Sequence, residues 1–178
     1  MDGAALAVTE FLAAHGGAAP FVALALAIAE TVAFLSVFIP ATALLMAAGA
    51  LTATGAFPFL PLWAGAAAGA VIGATFSWWL GRRFGPRILA ARILRANAEA
   101  VARAQALFDR WGAAAIVAGH FIGPLRPVAF LFAGMSGVGF WRFQGWNILG
   151  AVAWAFVIPQ TGALGGDLAG WFRHFLGL

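Results

Sequence analysis

Residues 112–139 read GAAAIVAGHFIGPLRPVAFLFAGMSGVG. Residues 112–122 form one apolar run and residues 128–139 another. At about 1.5 Å per helical residue, neither run approaches the roughly 30 Å of a bilayer's hydrocarbon core. Between them stands Gly123-Pro124-Leu125-Arg126-Pro127. Its prolines cannot continue a helix, and its glycine permits a turn. Two half-length apolar arms around such a break describe a re-entrant hairpin. Backbone freed at that depth is tolerated only where protein or a wet cavity surrounds it.

The pattern repeats towards the N-terminus. Residues 21–39 are hydrophobic apart from Glu30 and Thr31, and Pro40 closes the run. Residues 41–54 follow, small and apolar, and reach only about 21 Å. Residues 21–54 are therefore expected to form a first re-entrant hairpin turning at Pro40. A loop with Gly55, Pro58 and Pro61 leads into residues 62–80, an uncharged stretch long enough to span. Gly65, Gly69 and Gly73 recur every fourth residue on one face, a flat strip that admits close helix approach or a docking partner. Trp78 and Trp79 mark an interface.

Residues 86–110 change character. Leu94, Val101 and Phe108 share a helix face, with Arg92, Arg95, Glu99 and Arg103 opposite. This is an amphipathic helix lying on the membrane surface, cytoplasmic by the positive-inside tendency. Beyond the second hairpin, residues 145–163 form a last span and residues 164–178 a short C-terminal surface helix. Residues 1–19 read as a short N-terminal helix; with Asp2 and Glu10 and no basic residue, they do not make a signal peptide. One full crossing separates the hairpins, so they open from opposite faces. The expected fold is an all-α integral membrane protein built as an inverted repeat of hairpin plus transmembrane helix.

Composition agrees. The chain is 63% hydrophobic and 9% charged, far from the roughly 25% charged residues of a soluble domain. The ten cationic residues are all arginine, seven of them between positions 82 and 110. Flanked by apolar runs, that basic stretch points to a membrane surface and excludes nucleic acid as the partner. The absence of cysteine excludes thiolate metal sites. His15, His120 and His174 lack zinc-ligand spacing, and no cofactor is expected. The composition is compatible with a homo-oligomer.

The chemistry gathers on two charges. Glu30 sits in the middle of the first run and Arg126 at the tip of the second hairpin. Either at the bilayer centre costs about 2.5–3.5 kcal/mol, so such residues face a partner or a cavity. Their opposite signs make a pair. Burial favours the neutral carboxyl and a guanidinium the charged one, the competition a protonation switch requires. An arginine fork beside loosened backbone also suits phosphate oxygens, and His120 on the same arm offers a second donor.

These residues resemble the DedA family, also called SNARE-associated or VTT-domain proteins. The resemblance covers about residues 20–160. It is carried by Glu30 before the Pro40 turn, Gly73 with Trp78, Gly81-Arg82-Arg83-Phe84-Gly85 and His120 to Pro127. Ala133-Gly134-Met135, Phe143, Asn147, Gly150 and Trp154 continue it. The Gly-Pro-Leu-Arg-Pro wording looks most like the DedA-type domain fused to lipid phosphatases. The resemblance implies facing hairpins and a bacterial inner-membrane lipid transporter, a flippase or scramblase of undecaprenyl phosphate or phospholipid, dependent on the proton-motive force. By position Glu30 matches the family's first membrane acid and Arg126 its second hairpin arginine. Three positions depart: Thr42 and Ala74 replace acids, and His120 replaces the first hairpin arginine. The alternatives are an ion-coupled transporter of another small anion and a non-transporting assembly factor. An enzyme is not expected, since the chain has no lysine and no paired histidines for phosphoryl chemistry.

Overall fold

A computed structural model of the chain describes residues 7, 10–32, 41–89, 98–122 and 126–175. The described residues are helical and contain no strand. After a single 3-10 turn (Gly16–Ala18), α1 runs over Ala19–Thr31, with Pro20 in its first turn, where a missing N–H costs nothing. α2 is Ala41–Ala53 and α3 is Phe59–Leu89. α4 covers Ala98–Trp111; a second 3-10 turn (Gly112–Ala114) leads into α5, Ala115–Phe121. α6 is Arg126–Met135 and α7 is Phe140–Phe175.

Two helices carry apolar stretches long enough to cross a membrane, Phe59–Gly85 in α3 and Phe140–Gly165 in α7. α1, α2, α5 and α6 are all too short to cross. α3 and α7 also present exposed Ile72, Phe76, Trp79, Leu149, Phe156 and Val157, a greasy exterior suited to lipid rather than water.

Some boundaries differ from those expected. α1 ends at Thr31, well before Pro40, although no proline or glycine stops it there. The Thr31 hydroxyl donates to the Ala27 carbonyl, and Val32 is extended with φ −76° and ψ 123°. The helix bearing Glu30 is thus 13 residues long; residues 33–39 of the expected arm lie outside the described residues. α3 continues through Gly81-Arg82-Arg83-Phe84-Gly85, because Gly81 serves close packing and not a break: a side chain there would overlap the Leu131 carbonyl of α6. Likewise α7 is one helix through Phe175, with Pro159 inside it, where a last span and a separate surface helix were expected. The expected turn residues Pro40, Gly123 and Pro124 lie outside the described residues; Pro127 is the second residue of α6.

Packing explains how the short helices are held. α1 lies along α3 and α2 along α7; in the other half α5 lies on α7 and α6 on α3. The glycine strip faces inward: Cβ atoms at Gly65, Gly69 and Gly73 would strike the Pro20 carbonyl, the Leu24 carbonyl and the Thr31 side chain of α1. The buried core between these helices is largely alanine, with Ala23, Ala27, Ala48, Ala66, Ala70, Ala151 and Ala155 around Trp154. Small side chains bring backbones close, the means of adhesion available where lipid removes any hydrophobic drive between helices. A second cluster joins Trp78, Ile116, Phe130 and Phe143, against which Phe108 of α4 rests half-buried. On the outer side of α4, Glu99 and Arg103 form an exposed pair one turn apart, worth only a few tenths of a kcal/mol, about 0.3–0.5.

Candidate functional site

Four helix ends meet at one point. Glu30 is next to last in α1, Thr42 second in α2, His120 next to last in α5 and Arg126 first in α6. Their side chains converge: Glu30, His120 and Arg126 are all buried, Arg126 with 1% of its surface exposed. Glu30 Oε1 lies 3.0 Å from Arg126 Nη1, and the Thr42 hydroxyl donates to the same oxygen. The position where an acid was expected after the proline turn therefore supplies a proton donor to Glu30 instead of a second negative charge.

Helix geometry dictates what holds Arg126. The last carbonyls of a helix have no partner within it. Arg126 donates to one of them, the His120 carbonyl, from Nε at 3.1 Å and Nη2 at 2.6 Å. Its guanidinium face stacks on Trp154 of α7, with Cζ 4.2 Å from the ring centroid. A cation over indole gains about 2 kcal/mol or more when desolvated. Arg126 thus ties α5, α6, α7 and, through Glu30, α1.

His120 contributes its backbone to that grip, while its ring belongs to a second network. His120 Nε2 is 3.1 Å from Asn147 Oδ1. Asn147 Nδ2 donates to the Val71 carbonyl at 3.2 Å and to Gln144 Oε1 at 2.9 Å. With both amide protons engaged, Oδ1 can only accept, so Nε2 carries the imidazole proton and Nδ1 is bare. Thr75 joins from α3, donating to the Val71 carbonyl at 2.6 Å. Gly150 completes the fit, since a Cβ there would lie 2.5 Å from His120 Cδ2. Asn147→Leu should strand His120 Nε2–H, at about 1–3 kcal/mol for a buried group left without a partner, while the Val71 carbonyl keeps the Thr75 hydroxyl. A thermal-unfolding scan in detergent, with Gln144→Leu as the milder comparison, checks the order of the two losses.

Four buried polar atoms keep no hydrogen-bond partner among the described residues: Glu30 Oε2, His120 Nδ1, Arg126 Nη1 and Trp154 Nε1. Arg126 Nη1 is near Glu30 Oε1 but not aligned to donate to it. Two of these atoms are donors and two are acceptors. All four belong to residues that touch Arg126 or to Arg126 itself. An open cleft of about 260 Å³ lined by Phe108, Asp109, Ser136 and Arg142 shares no residue with them.

The structure brings Glu30, Arg126, His120 and Asn147 into one neighbourhood. It places Gly73 against α1, and Gly81 and Gly85 against α6, as packing positions. Arg82 lies over Trp78 with Cζ 5.6 Å from the ring. Ala74 sits buried in the second core cluster. Sequence reasoning missed Thr42 as a partner of Glu30 and Trp154 as the floor beneath Arg126. A tryptophan in a membrane chain reads as an interface anchor, and only its position among alanines, Ala151 to Ala155, hinted at burial.

Residues 39–164 match the VTT domain family. The chain belongs to the DedA family of VTT-domain membrane proteins. Inner membrane protein YghB of Escherichia coli is 36% identical over 126 residues, 70% of this chain and 58% of that protein. Inner membrane protein YabI of the same species is 30% identical over 141 residues, 79% of this chain and 54% of YabI. An uncharacterized membrane protein of Mycobacterium bovis is 34% identical over 127 residues, 68% of this chain and 58% of its own length. The chain therefore spans a little over half the length of these relatives. No solved structure matches it. Both named relatives are inner membrane proteins, which supports a bacterial inner-membrane location for this DedA-family chain.

Proposed function

We propose that this DedA-family chain moves lipids with an anionic phosphate headgroup, polyprenyl phosphate or phospholipid, between the leaflets of the inner membrane. The observation that carries the reading is the buried Glu30–Arg126 pair at the meeting point of four short helix ends, in which Arg126 Nη1 faces Glu30 but makes no hydrogen bond among the described residues. Paired charges are what make intramembrane burial tolerable, and a guanidinium edge not hydrogen-bonded to its carboxylate is what a phosphate oxygen can take.

The packing order supports re-entrant hairpins in an inverted repeat. Exchanging the two halves maps α1 on α3 onto α5 on α7, and α2 on α7 onto α6 on α3. Broken helices meeting from opposite halves place a transporter's substrate site near the midplane. The headgroup contacts Arg126 there while the acyl or prenyl tail stays in lipid. Glu30 competes with the headgroup for the guanidinium; its protonation releases Arg126 and couples transport to the proton gradient. The arginine-rich segment faces the cytoplasm, where its charges meet anionic lipid.

A non-transporting assembly factor would need an open docking strip, and α1 already covers Gly65, Gly69 and Gly73. A transporter of a small soluble anion remains the second reading, since the same guanidinium edge would serve a free anion. Vesicles holding the purified protein and headgroup-labelled lipids decide between them. Leaflet exchange of phosphate lipids, faster with an imposed pH gradient and insensitive to it in Glu30→Gln, is the expected result. Flux of soluble phosphate without lipid exchange would sink the lipid reading.

A further inference from the structure

We infer that the Trp154 indole N–H is the second donor of the phosphate site, acting beside Arg126 Nη1; the inference rests on the headgroup reading above. Trp154 is fully buried, and Nε1 has no acceptor among the described residues. A buried donor left unpaired costs about 1–3 kcal/mol, and such groups in native proteins call for an explanation. Lipid on the outside supplies no water to satisfy it.

Stacking alone does not account for the indole. A phenylalanine ring would also lie flat beneath the guanidinium, without stranding an N–H in the protein's interior. What tryptophan adds is that donor. Nε1 is part of the ring, and Nη1 is bonded to Cζ. With Cζ 4.2 Å above the ring centroid, Nε1 and Nη1, which faces Glu30 Oε1 at 3.0 Å without donating to it, are near enough for the oxygens of one tetrahedral anion. Nε and Nη2 are each engaged by the His120 carbonyl. His120 offers no third side-chain donor in this arrangement, because Nε2 is spent on Asn147 and Nδ1 is bare. The site reads as a two-nitrogen clamp, one charged and one neutral, with Glu30 Oε2 and His120 Nδ1 as acceptors for a water or a protonated oxygen.

The test follows the indole proton directly. In protein labelled at the tryptophan indole nitrogens, the Trp154 cross-peak is assigned by its disappearance in Trp154→Phe. Short-chain phosphatidic acid should move that peak downfield, saturably, whereas diacylglycerol of the same chain length should leave it in place. Trp154→Phe keeps the stacking surface and should bind phosphatidic acid about tenfold more weakly, the worth of one hydrogen bond to a charged group. Trp154→Leu, which also loses the stack, should bind more weakly still. The inference falls if phosphatidic acid saturates a site abolished by Arg126→Ala while the Trp154 peak stays fixed. It also falls if Trp154→Phe binds as tightly as the native chain. If phosphatidic acid binds independently of Arg126, or not at all, the headgroup reading fails and takes this inference with it.

Discussion

Arg126→Ala is expected to stop leaflet exchange and to lower stability by about 3–5 kcal/mol, the usual result of stranding one partner of a buried ion pair. The loss has several parts here. Glu30 stays buried and, among the described residues, keeps only the Thr42 hydroxyl. The His120 carbonyl loses both of its guanidinium donors, and the Trp154 ring loses the cation above it. Stability and transport are separated by a second variant. Glu30→Gln combined with Arg126→Met removes both charges and nearly conserves volume, a change that is often neutral or stabilising for a buried pair. The double variant should therefore unfold within about 1–2 kcal/mol of the native chain yet exchange no lipid. Unfolding scans in detergent measure the first quantity, and headgroup-resolved exchange in vesicles the second. Native-like exchange by the double variant would mean that the pair only braces the fold, and the proposed function would be wrong.

What the sequence disclosed and what it hid divide along a physical line. Charges in apolar runs are costly wherever they sit, so Glu30 and Arg126 stood out without knowledge of their neighbours. Prolines and glycines interrupt helices by local sterics, so the shortness of the second pair of arms was visible around residues 123–127. The early end of α1 was not visible, because no proline or glycine marks it; the Thr31 hydroxyl folds back onto Ala27 there, as Thr75 does onto Val71 inside the uninterrupted α3. Tertiary partners were likewise hidden. Thr42 read as a missing acid, and only the approach of α1 and α2 shows it donating to Glu30. His120 read as a lost arginine offering a side-chain donor. Its carbonyl, which every residue type carries, is what grips Arg126. Asn147 entered through family resemblance alone; its place between α3, α5 and α7 follows from three hydrogen-bond partners that share no local pattern with it.

The glycines yield the second large effect. Gly49 of α2 faces the Pro159 carbonyl of α7, and Gly162 of α7 faces the Met46 carbonyl of α2. The same reciprocal arrangement joins the other half: Gly81 of α3 meets the Leu131 carbonyl, and Gly134 of α6 meets the Trp78 carbonyl. At each crossing a Cβ would fall inside backbone that cannot rotate aside. Gly49→Ala and Gly134→Ala are thus expected to push a short arm off its long helix. Small-to-large changes in tight interiors cost about 1–3 kcal/mol, occasionally more. Backbone in place of a yielding side chain puts these sites at the upper end. Helix propensity opposes the loss by only about 1 kcal/mol, so the steric term wins. Gly145→Ala supplies the control: it lies in α7 with nothing near its absent Cβ, so the propensity gain should appear alone, as a slight rise in unfolding temperature. Because α2 presents Thr42 and α6 presents Arg126, the two crossing variants should also impair lipid exchange, whereas Gly145→Ala should not. Equal unfolding temperatures for Gly49→Ala and Gly145→Ala would contradict the close α2–α7 crossing, and with it the placement of Thr42 against Glu30.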